Sequence, residues 1–286
     1  MGHLVMDGER FRVVSENPRR ASSPSHPRVG SGFEPDGDLG PFREPSSLVC
    51  WTHPEWSQRF PWLTQGTSGR SPGSREGDFR VFQEEGPAQE NELWMDLAQS
   101  NGFSGVFHSR QVHGTEIRVH GEAARGLTIS PDADGHASSA SGAFLGVTIA
   151  DCVPVFLVDP NRRAVALLHA GWRGVAAGIL EVGISLLFAE FRSSPEEVLL
   201  HLGPSICGAC YEVGPEVHAA LGVPDPGGPA PVDLRAVLAE KAVGMGIMGS
   251  HITRSSFCTL CSGSPFFSHR AGESRRQVGF LGIRPT

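Results

Sequence analysis

The stretch that decides the fold consists of two apolar segments joined by a short polar turn. Residues 144–174 read FLGVTIADCVPVFLVDPNRRAVALLHAGWRG. The segments at 144–158 and 164–168 are rich in β-branched residues. Between them, Asp-Pro-Asn-Arg suits a type I turn, because proline favours its second position and Asp and Asn favour the neighbouring ones. The sequence therefore predicts a β-hairpin.

The hairpin brings a cysteine close to a histidine. If Val158 pairs with Arg163, Cys152 lies opposite His169 on the same face. Directly opposite residues hold their Cβ atoms roughly 4.5–5.5 Å apart, and Zn–S and Zn–N bonds of about 2.3 and 2.0 Å span that gap. One metal ion could bind both side chains. Pro154 can shift this register, because proline lacks the N–H of a strand ladder.

Composition indicates a small-molecule partner. The 286 residues carry a net charge of −7, and all 24 basic residues except Lys241 are arginines. An acidic chain lacks the basic face of a nucleic-acid or membrane-surface binder. Arginine also suits the recognition of phosphate. We therefore expect no nucleic acid and no membrane as partner, and a substrate that carries or uses an anion.

The composition of the segments predicts the domain boundaries and the cellular compartment. Residues 1–47 are rich in Pro, Ser, Gly and Arg, which predicts disorder. Residues 48–286 are expected to form a single catalytic domain. No run reaches the roughly 18 apolar residues of a membrane span, and the N-terminus lacks the apolar core of a secretion signal. The cytoplasm is the expected location, where six cysteines serve metal binding, catalysis or packing.

Helical and strand patterns alternate without a strict βαβ rhythm. Apolar spacing predicts helices at 90–100, 174–191 and 234–242, with strands at 198–202 and 277–283. This pattern favours mixed sheets with helices outside them over a doubly wound parallel sheet.

Five motifs occur in order along the chain. They are QVHG at 111–114, ADCVPV at 150–155, HAGWRG at 169–174, GPSI with YEVG at 203–206 and 211–214, and CT with FFSHR at 258–259 and 266–270. Together they resemble the laccase-domain (YfiH-like) family over roughly residues 48–283. Its members have been labelled polyphenol oxidases and, more recently, zinc-dependent purine nucleoside phosphorylases and deaminases.

The resemblance implies a fold and a metal site. The fold is of the α/β (α+β) type, a four-layer αββα sandwich with mixed sheets. The metal is zinc, held by His113, Cys152 and His169. Taken alone, His113 would be an ordinary surface histidine. Three protein ligands leave one position open, as in catalytic zinc sites.

The implied activity is phosphorolysis of adenosine, inosine and methylthioadenosine, together with adenosine deamination. Purine nucleosides and phosphate are then the partners, and the oligomeric state stays open. Zinc lowers the pKa of a bound water to roughly 7, which suits attack on C6 of adenine, whereas phosphorolysis needs phosphate at the anomeric carbon.

Several other functions are kept as alternatives. They are a cell-wall precursor editing amidase, a copper-dependent polyphenol oxidase and a non-enzymatic metal-binding module. A cysteine hydrolase using Cys152 and His169 ranks lower, because His113 completes a metal site. Copper is the less favoured metal, since a multicopper oxidase needs many more ligands, and the chain has no His-Cys-His run.

Two residues are predicted to be catalytic. Arg173 follows His169 closely and is expected to bind phosphate or polarise the substrate; a surface arginine is the alternative. Asp151 points away from Cys152 in a regular strand, so it is expected to anchor the turn unless a bulge turns it into the site. Glu212, Asp134 and His136 are further acid–base candidates, with capping or turn formation as their alternative.

Four residues are predicted to bind substrate: Gln111, Trp172, Glu212 and Arg270. Trp172 either stacks on the purine or wedges the turn against the sheet, and Arg270 can hold an anion. One position departs from the family pattern, because Gln65 stands where an arginine is expected. Arg70 or Arg80 could replace that arginine.

Two further cysteine pairs have metal-ligand spacing. Cys207 and Cys210 form one pair, and Cys258 and Cys261 form the other. Four thiolates suit a tetrahedral structural zinc. The long separation between the pairs favours buried free thiols instead, so both interpretations stay open.

Overall fold

The structure is a computed structural model. It describes residues 48–70, 78–82 and 89–286, together with the backbone of strands at 2–7, 10–15 and 40–43. The chain divides into two compact units, Met1–Phe33 and Glu34–Thr286. The first contains an antiparallel hairpin of β1 (Gly2–Asp7) and β2 (Arg10–Ser15). The disorder predicted for 1–47 falls largely outside the described residues and stays a prediction.

The second unit contains a seven-stranded mixed sheet. Its strands are β3 (Gly40–Arg43), β4 (Val49–Thr52), β5 (Leu63–Ser68), β6 (Gly105–Ser109), β8 (Gly126–Ser130), β10 (Phe144–Ile149) and β17 (Gln277–Ile283). They lie in the order β3-β4-β5-β17-β10-β6-β8. The interior strand β10 pairs antiparallel with the central strand β17 and parallel with β6.

A six-stranded mixed sheet lies in the same unit. Its strands are β7 (Ile117–His120), β9 (Gly135–Ser138), β11 (Val153–Asp159), β12 (Ala164–Ala170), β13 (Leu199–Leu202) and β16 (Ile252–Arg254). They lie in the order β16-β13-β11-β12-β9-β7. A short ribbon joins β14 (Glu212–Val213) to β15 (Ala230–Pro231).

Six α-helices accompany the sheets in the described residues. They are α1 (Pro54–Arg59), α2 (Gln89–Ser100), α3 (Trp172–Ala177), α4 (Ile179–Phe191), α5 (Pro215–Leu221) and α6 (Leu234–Gly244). The helix predicted at 174–191 is two helices, because Gly178 adopts a left-handed φ of 91° between them. None of the helices described combines the length and the apolar composition of a bilayer-spanning segment.

Three apolar cores lie between the layers and hold them together. Between the sheets, Val147 packs with Phe156 and Leu167. The other face of the six-stranded sheet packs against α3 to α6, and the other face of the seven-stranded sheet packs against α2 through Trp94. Each fully buried large apolar side chain contributes roughly 1.5–3 kcal/mol. The layers are therefore helix, sheet, sheet and helix, which confirms the predicted αββα sandwich.

The hairpin forms, but its predicted register is wrong by two residues. His169 lies opposite Pro154, and Asp159 pairs with Ala164 around the loop at 160–163. The cause lies in the turn, where the Asp159 carboxylate accepts the N–H groups of Asn161 and the following residue at 2.9 and 3.1 Å. Because strand side chains alternate with a period of two, this shift keeps every side chain on its predicted face.

Candidate metal centre

Three ligand side chains meet at the end of the hairpin, and we call them the His2Cys group: His113, Cys152 and His169. Their ligand atoms all lie within 4.8 Å of one another. His113 Nε2 is 3.9 Å from Cys152 Sγ. His169 is buried near the end of β12, Cys152 directly precedes β11, and His113 is exposed in the loop between β6 and β7. The structure thus brings the three predicted ligands together, and the group is open to solvent on the His113 side.

A buried carboxylate holds two of these ligands in place. Asp134, which is fully buried, accepts the backbone N–H groups of Val112, His113 and Gly114 at 3.1, 2.9 and 2.7 Å. Its Oδ1 also lies 2.9 Å from His169 Nδ1. Because the carboxylate accepts the Nδ1 proton, Nε2 of His169 is left as the ligand atom. Asp134 therefore orients the metal ligands and is not in the position of a free general base.

The backbone around the group is strained at two residues. His113 and Asp151 have φ angles of 58° and 83°, in the left-handed region. Strain of this kind persists only where the surroundings hold it. The hydrogen bond from its backbone N–H to Asp134 holds His113. Hydrogen bonds from Thr259 and Arg270 to its carboxylate hold Asp151.

Gly171 leaves the space that the ligands occupy. A Cβ atom at this position would lie 2.7 Å from His113 Cδ2 and 3.0 Å from Cys152 Sγ. The φ angle of Gly171 is −78°, which any residue adopts. Glycine is therefore required here because a side chain would collide with the ligands, and not because of its backbone conformation.

The ligands shift one another's protonation. Burial raises the pKa of the Cys152 thiol, but the positive charge of His169 and hydrogen bonds from His113 and His169 outweigh it, and the pKa falls to about 6. Burial lowers the pKa of His169, but the Cys152 thiolate and Asp134 raise it to about 9. Cys152 is thus a thiolate near neutral pH, which is the form that binds metals.

Asp151 anchors a distant segment. Its two carboxylate oxygens accept the hydroxyl of Thr259 at 2.5 Å and the backbone N–H of Arg270 at 2.7 Å, and its carbonyl accepts the N–H of Ile206 at 3.0 Å. These contacts agree with the anchoring role considered from the sequence. A catalytic role for Asp151 stays a prediction.

Gln111 is occupied by one partner. Its side-chain oxygen accepts the N–H and the hydroxyl of Thr148 at 2.7 and 2.8 Å, and its amide nitrogen donates to the carbonyl of Thr148 at 2.8 Å. These bonds fasten the His113 loop to β10. Substrate contact by Gln111 stays a prediction.

Tyr211, the only tyrosine of the chain, lies within electrostatic reach of the group. Burial raises its pKa to about 12, with a smaller contribution from the Cys152 thiolate. The Arg270 guanidinium lies 5.2 Å from its ring centre and donates to the carbonyl of Glu212 at 2.9 Å. The Glu212 side chain itself is exposed, so only its backbone takes part in this contact.

Arg173 and Trp172 form a second aromatic–arginine pair. The Arg173 guanidinium lies 4.4 Å from the centre of the Trp172 ring. Arg173 is exposed and forms no ion pair with any residue that the structure describes. Trp172 is half-buried against the helix-side core, which agrees with the wedge considered from the sequence.

The region where the sequence departs from the family is internally paired. Gln65 accepts the N–H of His53 at 3.0 Å and donates to its carbonyl at 3.1 Å. Arg70 forms a bidentate ion pair with Glu273, and Arg80 pairs with Asp78. Gln65 thus has a structural role, and both arginines considered as substitutes already hold carboxylates.

His136 lies in the core. It is buried in β9 and lies 2.9 Å from His120 Nε2 through its Nδ1. Burial lowers its pKa well below the usual value, so it is neutral. It belongs to a histidine pair beside the sheet and not to the His2Cys group.

Three contributors were not identified as site residues from the sequence: Gly171, Tyr211 and Thr259. Each lies inside one of the motifs: Gly171 two residues after His169, Tyr211 directly after Cys210, and Thr259 directly after Cys258. Their position in the motifs was the available signal. The close approach of Gly171 to the ligands, the burial of Tyr211 and the hydrogen bond from Thr259 to Asp151 depend on the three-dimensional arrangement.

Comparison with known proteins assigns the chain to a family. The sequence profile described as multi-copper polyphenol oxidoreductase laccase matches residues 65–284. The chain belongs to this family. Purine nucleoside phosphorylase YlmD of Geobacillus stearothermophilus is 33% identical over 193 residues, covering 61% of this chain and 70% of YlmD. Adenosine deaminase RL5 from an unknown prokaryotic organism is 33% identical over 178 residues, covering 56% of this chain and 68% of that protein.

A solved structure shows the same fold. The crystal structure of YlmD from Geobacillus stearothermophilus aligns with a TM-score of 0.75 at 26% sequence identity, covering 86% of this chain and 99% of YlmD. The αββα arrangement is therefore a shared property of the chain and this relative.

Proposed function

We propose that this chain is a zinc-dependent purine nucleoside phosphorylase that acts on adenosine, inosine and methylthioadenosine and also deaminates adenosine. Relatives named purine nucleoside phosphorylase and adenosine deaminase support a role in nucleoside processing. The observation that carries the proposal is the His2Cys group, with its ligand atoms within 4.8 Å of one another and its orientation set by Asp134.

The donor set fits zinc. Two imidazole nitrogens and one thiolate are ordinary zinc ligands, and three protein ligands leave a position for water or substrate. When bound, zinc acts as a Lewis acid and lowers the pKa of a bound water to about 7. Among the described residues, the other group able to hold a metal consists of four cysteines. No cluster of histidines that would suit several coppers lies in that part of the chain, which favours zinc over the copper oxidase alternative.

The arginines around the group suit an anionic co-substrate. Arg173 and Arg270 form no ion pair with any carboxylate side chain in the described residues. Each guanidinium instead lies over an aromatic ring, of Trp172 and Tyr211 respectively. An unpaired guanidinium held in place by a ring is available to bind phosphate by charge-assisted hydrogen bonds. We assign phosphate binding to Arg173 first and to Arg270 second.

The two reactions differ in their nucleophile. In phosphorolysis, phosphate forms a bond to the anomeric carbon of adenosine, the glycosidic bond breaks, and adenine leaves with ribose 1-phosphate as the other product. In deamination, water adds at C6, ammonia leaves, and inosine is formed. Exposure of His113 leaves a side through which a nucleoside can reach the group. Both reactions would then take place at the His2Cys group, with the nucleoside entering on the His113 side.

Product analysis tests the proposal. Purified zinc-loaded protein is incubated with adenosine in buffers with and without phosphate, and the products are separated by liquid chromatography. We expect adenine and ribose 1-phosphate only with phosphate, and inosine in both buffers, with hypoxanthine from phosphorolysis of that inosine only where phosphate is present. A Cys152→Ala variant should lose all of these products, whereas Cys50→Ala, which removes a thiol outside the group, should keep them.

Three outcomes would contradict it. Full turnover by metal-free Cys152→Ala protein would remove the metal from the mechanism. Oxidation of a phenolic dye under added copper, with no purine product in either buffer, would favour the polyphenol oxidase alternative. No turnover of any of these substrates would favour the amidase or the binding module.

A further inference from the structure

Four cysteine side chains form a second cluster, which we call the four-cysteine group: Cys207, Cys210, Cys258 and Cys261. Their sulfur atoms all lie within 4.8 Å of one another, and all four thiols are free. Cys261 Sγ lies 3.8 Å from Cys210 Sγ and 4.0 Å from Cys207 Sγ. The two cysteine pairs noted in the sequence therefore converge on one point.

These separations match the ligands of a single tetrahedral ion. With Zn–S bonds of about 2.3 Å, neighbouring sulfurs of a regular tetrahedron lie about 3.8 Å apart. A disulfide needs sulfurs at about 2.05 Å, which is much shorter than the distances found. The sulfurs are too far apart for disulfides and are at the spacing of ligands around a common ion.

Backbone hydrogen bonds position the first cysteine pair, and two of them are directed at the Cys258 sulfur. The N–H of Cys210 donates to the carbonyl of Cys207 at 3.0 Å, so this pair lies on a tight turn. Cys258 Sγ accepts the N–H groups of Cys207 and Leu260 at 3.3 and 3.4 Å. Backbone donors directed at a sulfur favour its charged form. Four neutral thiols offer one another only weak donors, whereas four thiolates require a cation between them.

The sheet explains how two distant pairs meet. Strands β13 and β16 are parallel neighbours, and Leu202 lies beside Arg254. Beyond the strand ends, Ser205 bridges to Cys258, and the N–H of Thr259 donates to the carbonyl of Ser205 at 3.1 Å. Parallel strands end at the same edge of a sheet, so the segments that follow them lie side by side whatever the chain length between them. The long separation, which favoured free thiols from the sequence alone, is thereby accounted for.

We propose that the four-cysteine group binds a structural zinc ion that ties together the loops after β13 and β16. Four protein ligands leave no open position, which is the arrangement of structural zinc sites. Residues next to two of these ligands contact the surroundings of the His2Cys group. Tyr211, which follows Cys210, lies under the Arg270 guanidinium, and Thr259, which follows Cys258, donates to Asp151, the residue before Cys152. The ion therefore fixes one wall of the candidate active site without touching the substrate.

Metal analysis of the purified protein tests this proposal independently of activity. With both groups occupied, we expect two zinc ions per chain in the unaltered protein and one in Cys261→Ser. Cys152→Ala should also hold one, in the four-cysteine group. Cys50→Ala should hold two, because Cys50 belongs to neither group. Cobalt bound to Cys152→Ala should show the strong thiolate charge-transfer absorption of a four-sulfur site.

A rescue variant separates metal loss from a simple packing defect. Cys261→His offers another common zinc ligand, so it should regain the second ion and a higher unfolding temperature than Cys261→Ser. Alkylation adds a further measurement that needs no variant. The four thiols of the unaltered protein should resist alkylation until a chelator is added.

The proposal is overturned if the unaltered protein binds one zinc ion that Cys152→Ala abolishes and Cys261→Ser leaves in place. Disulfides among the four cysteines in protein purified without oxidant would overturn it as well. If instead one ion is present and only Cys261→Ser removes it, the four-cysteine group binds zinc and the His2Cys group does not. The zinc-dependent mechanism of the proposed function would then be wrong. Should Cys261→Ser fail to fold, the unaltered protein and Cys152→Ala decide the matter together.

Discussion

The His2Cys group and the four-cysteine group differ in the number of protein ligands and in their exposure. The first has three ligand side chains, and His113 is exposed. The second has four, and Cys258 is buried. Asp151 connects the two, since it precedes Cys152 and accepts the hydroxyl of Thr259 beside Cys258. The same kind of ion can therefore serve chemistry in one group and architecture in the other, depending on whether a ligand position is left open.

Gly171→Ala should have the largest effect that is confined to the His2Cys group. The added Cβ would lie 2.7 Å from the His113 ring and 3.0 Å from Cys152 Sγ, distances that force the ligands apart. Displacement of a catalytic geometry by about 1 Å costs about a hundredfold in rate, so we expect a loss of at least that size. Zinc analysis should show that the ion of the four-cysteine group remains while the other is lost.

A matched glycine controls for the methyl group itself. Gly121 is exposed, and a Cβ added there would meet nothing within 4 Å. Gly121→Ala should keep both ions and the original rate. If Gly171→Ala behaves in the same way, the close packing of the His2Cys group around this glycine is wrong.

Asp134→Asn should weaken the first group without breaking it. The amide keeps the shape of the carboxylate, but it cannot accept all four of the hydrogen bonds that Asp134 accepts from the His113 loop and His169. Loss of such a partner typically lowers metal affinity by about 10–100-fold. We expect this loss in competition titrations with a chelator, with zinc in the four-cysteine group unaffected.

The control for this variant is a nearby carboxylate. The Asp132 side chain is 46% exposed and pairs with Arg110, so Asp132→Asn should leave zinc affinity unchanged. Equal affinities in Asp134→Asn and Asp132→Asn would show that Asp134 does not orient the ligands.

The sequence could predict the ligands better than the geometry that holds them. His113, Cys152 and His169 come together as expected, and they do so although the hairpin register is shifted by two residues. Period-two alternation explains this outcome, because a shift of two preserves the face of each strand. The turn bonds of Asp159 decide the register, and local pattern did not specify them.

Contacts between distant segments account for what the sequence could not give. Asp134 lies 35 residues from His169, and Asp151 lies 108 residues from Thr259. No periodicity links such pairs. The meeting of the four cysteines likewise depends on the parallel pairing of β13 and β16, which spacing alone argued against.

Arg173→Ala tests the substrate side of the first group. Loss of a charge-assisted hydrogen bond costs about 1.5–3 kcal/mol, and the exposure of Arg173 places the effect toward the lower end, at about tenfold. We expect KM for phosphate to rise by this amount in phosphorolysis, and deamination to change less. Initial rates measured across phosphate concentrations give the result.

An exposed arginine elsewhere is the control for charge. Arg59 pairs with Glu55 on α1, and both side chains are exposed, so Arg59→Ala should leave KM for phosphate unchanged. An equal rise in both variants would assign the effect to net charge and not to a phosphate contact at Arg173.

His108 separates acid damage to the fold from acid loss of metal. It is buried beside Trp94 and lies 3.0 Å from the carbonyl of Gly146 through Nδ1. Burial lowers its pKa to about 4, whereas an unfolded histidine has a pKa of about 6.5. Between these values the unfolded chain binds the extra proton, so the free energy of unfolding falls as the pH is lowered.

From pH 7 to pH 5 this histidine should contribute a loss of about 2 kcal/mol in the free energy of unfolding. Urea unfolding of the unaltered protein and of His108→Gln, at both pH values and with the same zinc supply, measures it. Because both proteins keep the same metal ligands, the metal contribution cancels in the difference between their pH dependences. The unaltered protein should therefore lose about 2 kcal/mol more than the variant over this range. Parallel losses would mean that His108 is not held neutral in the folded protein, and that other groups, such as buried His136 and His201 or the metal ligands, carry the acid dependence.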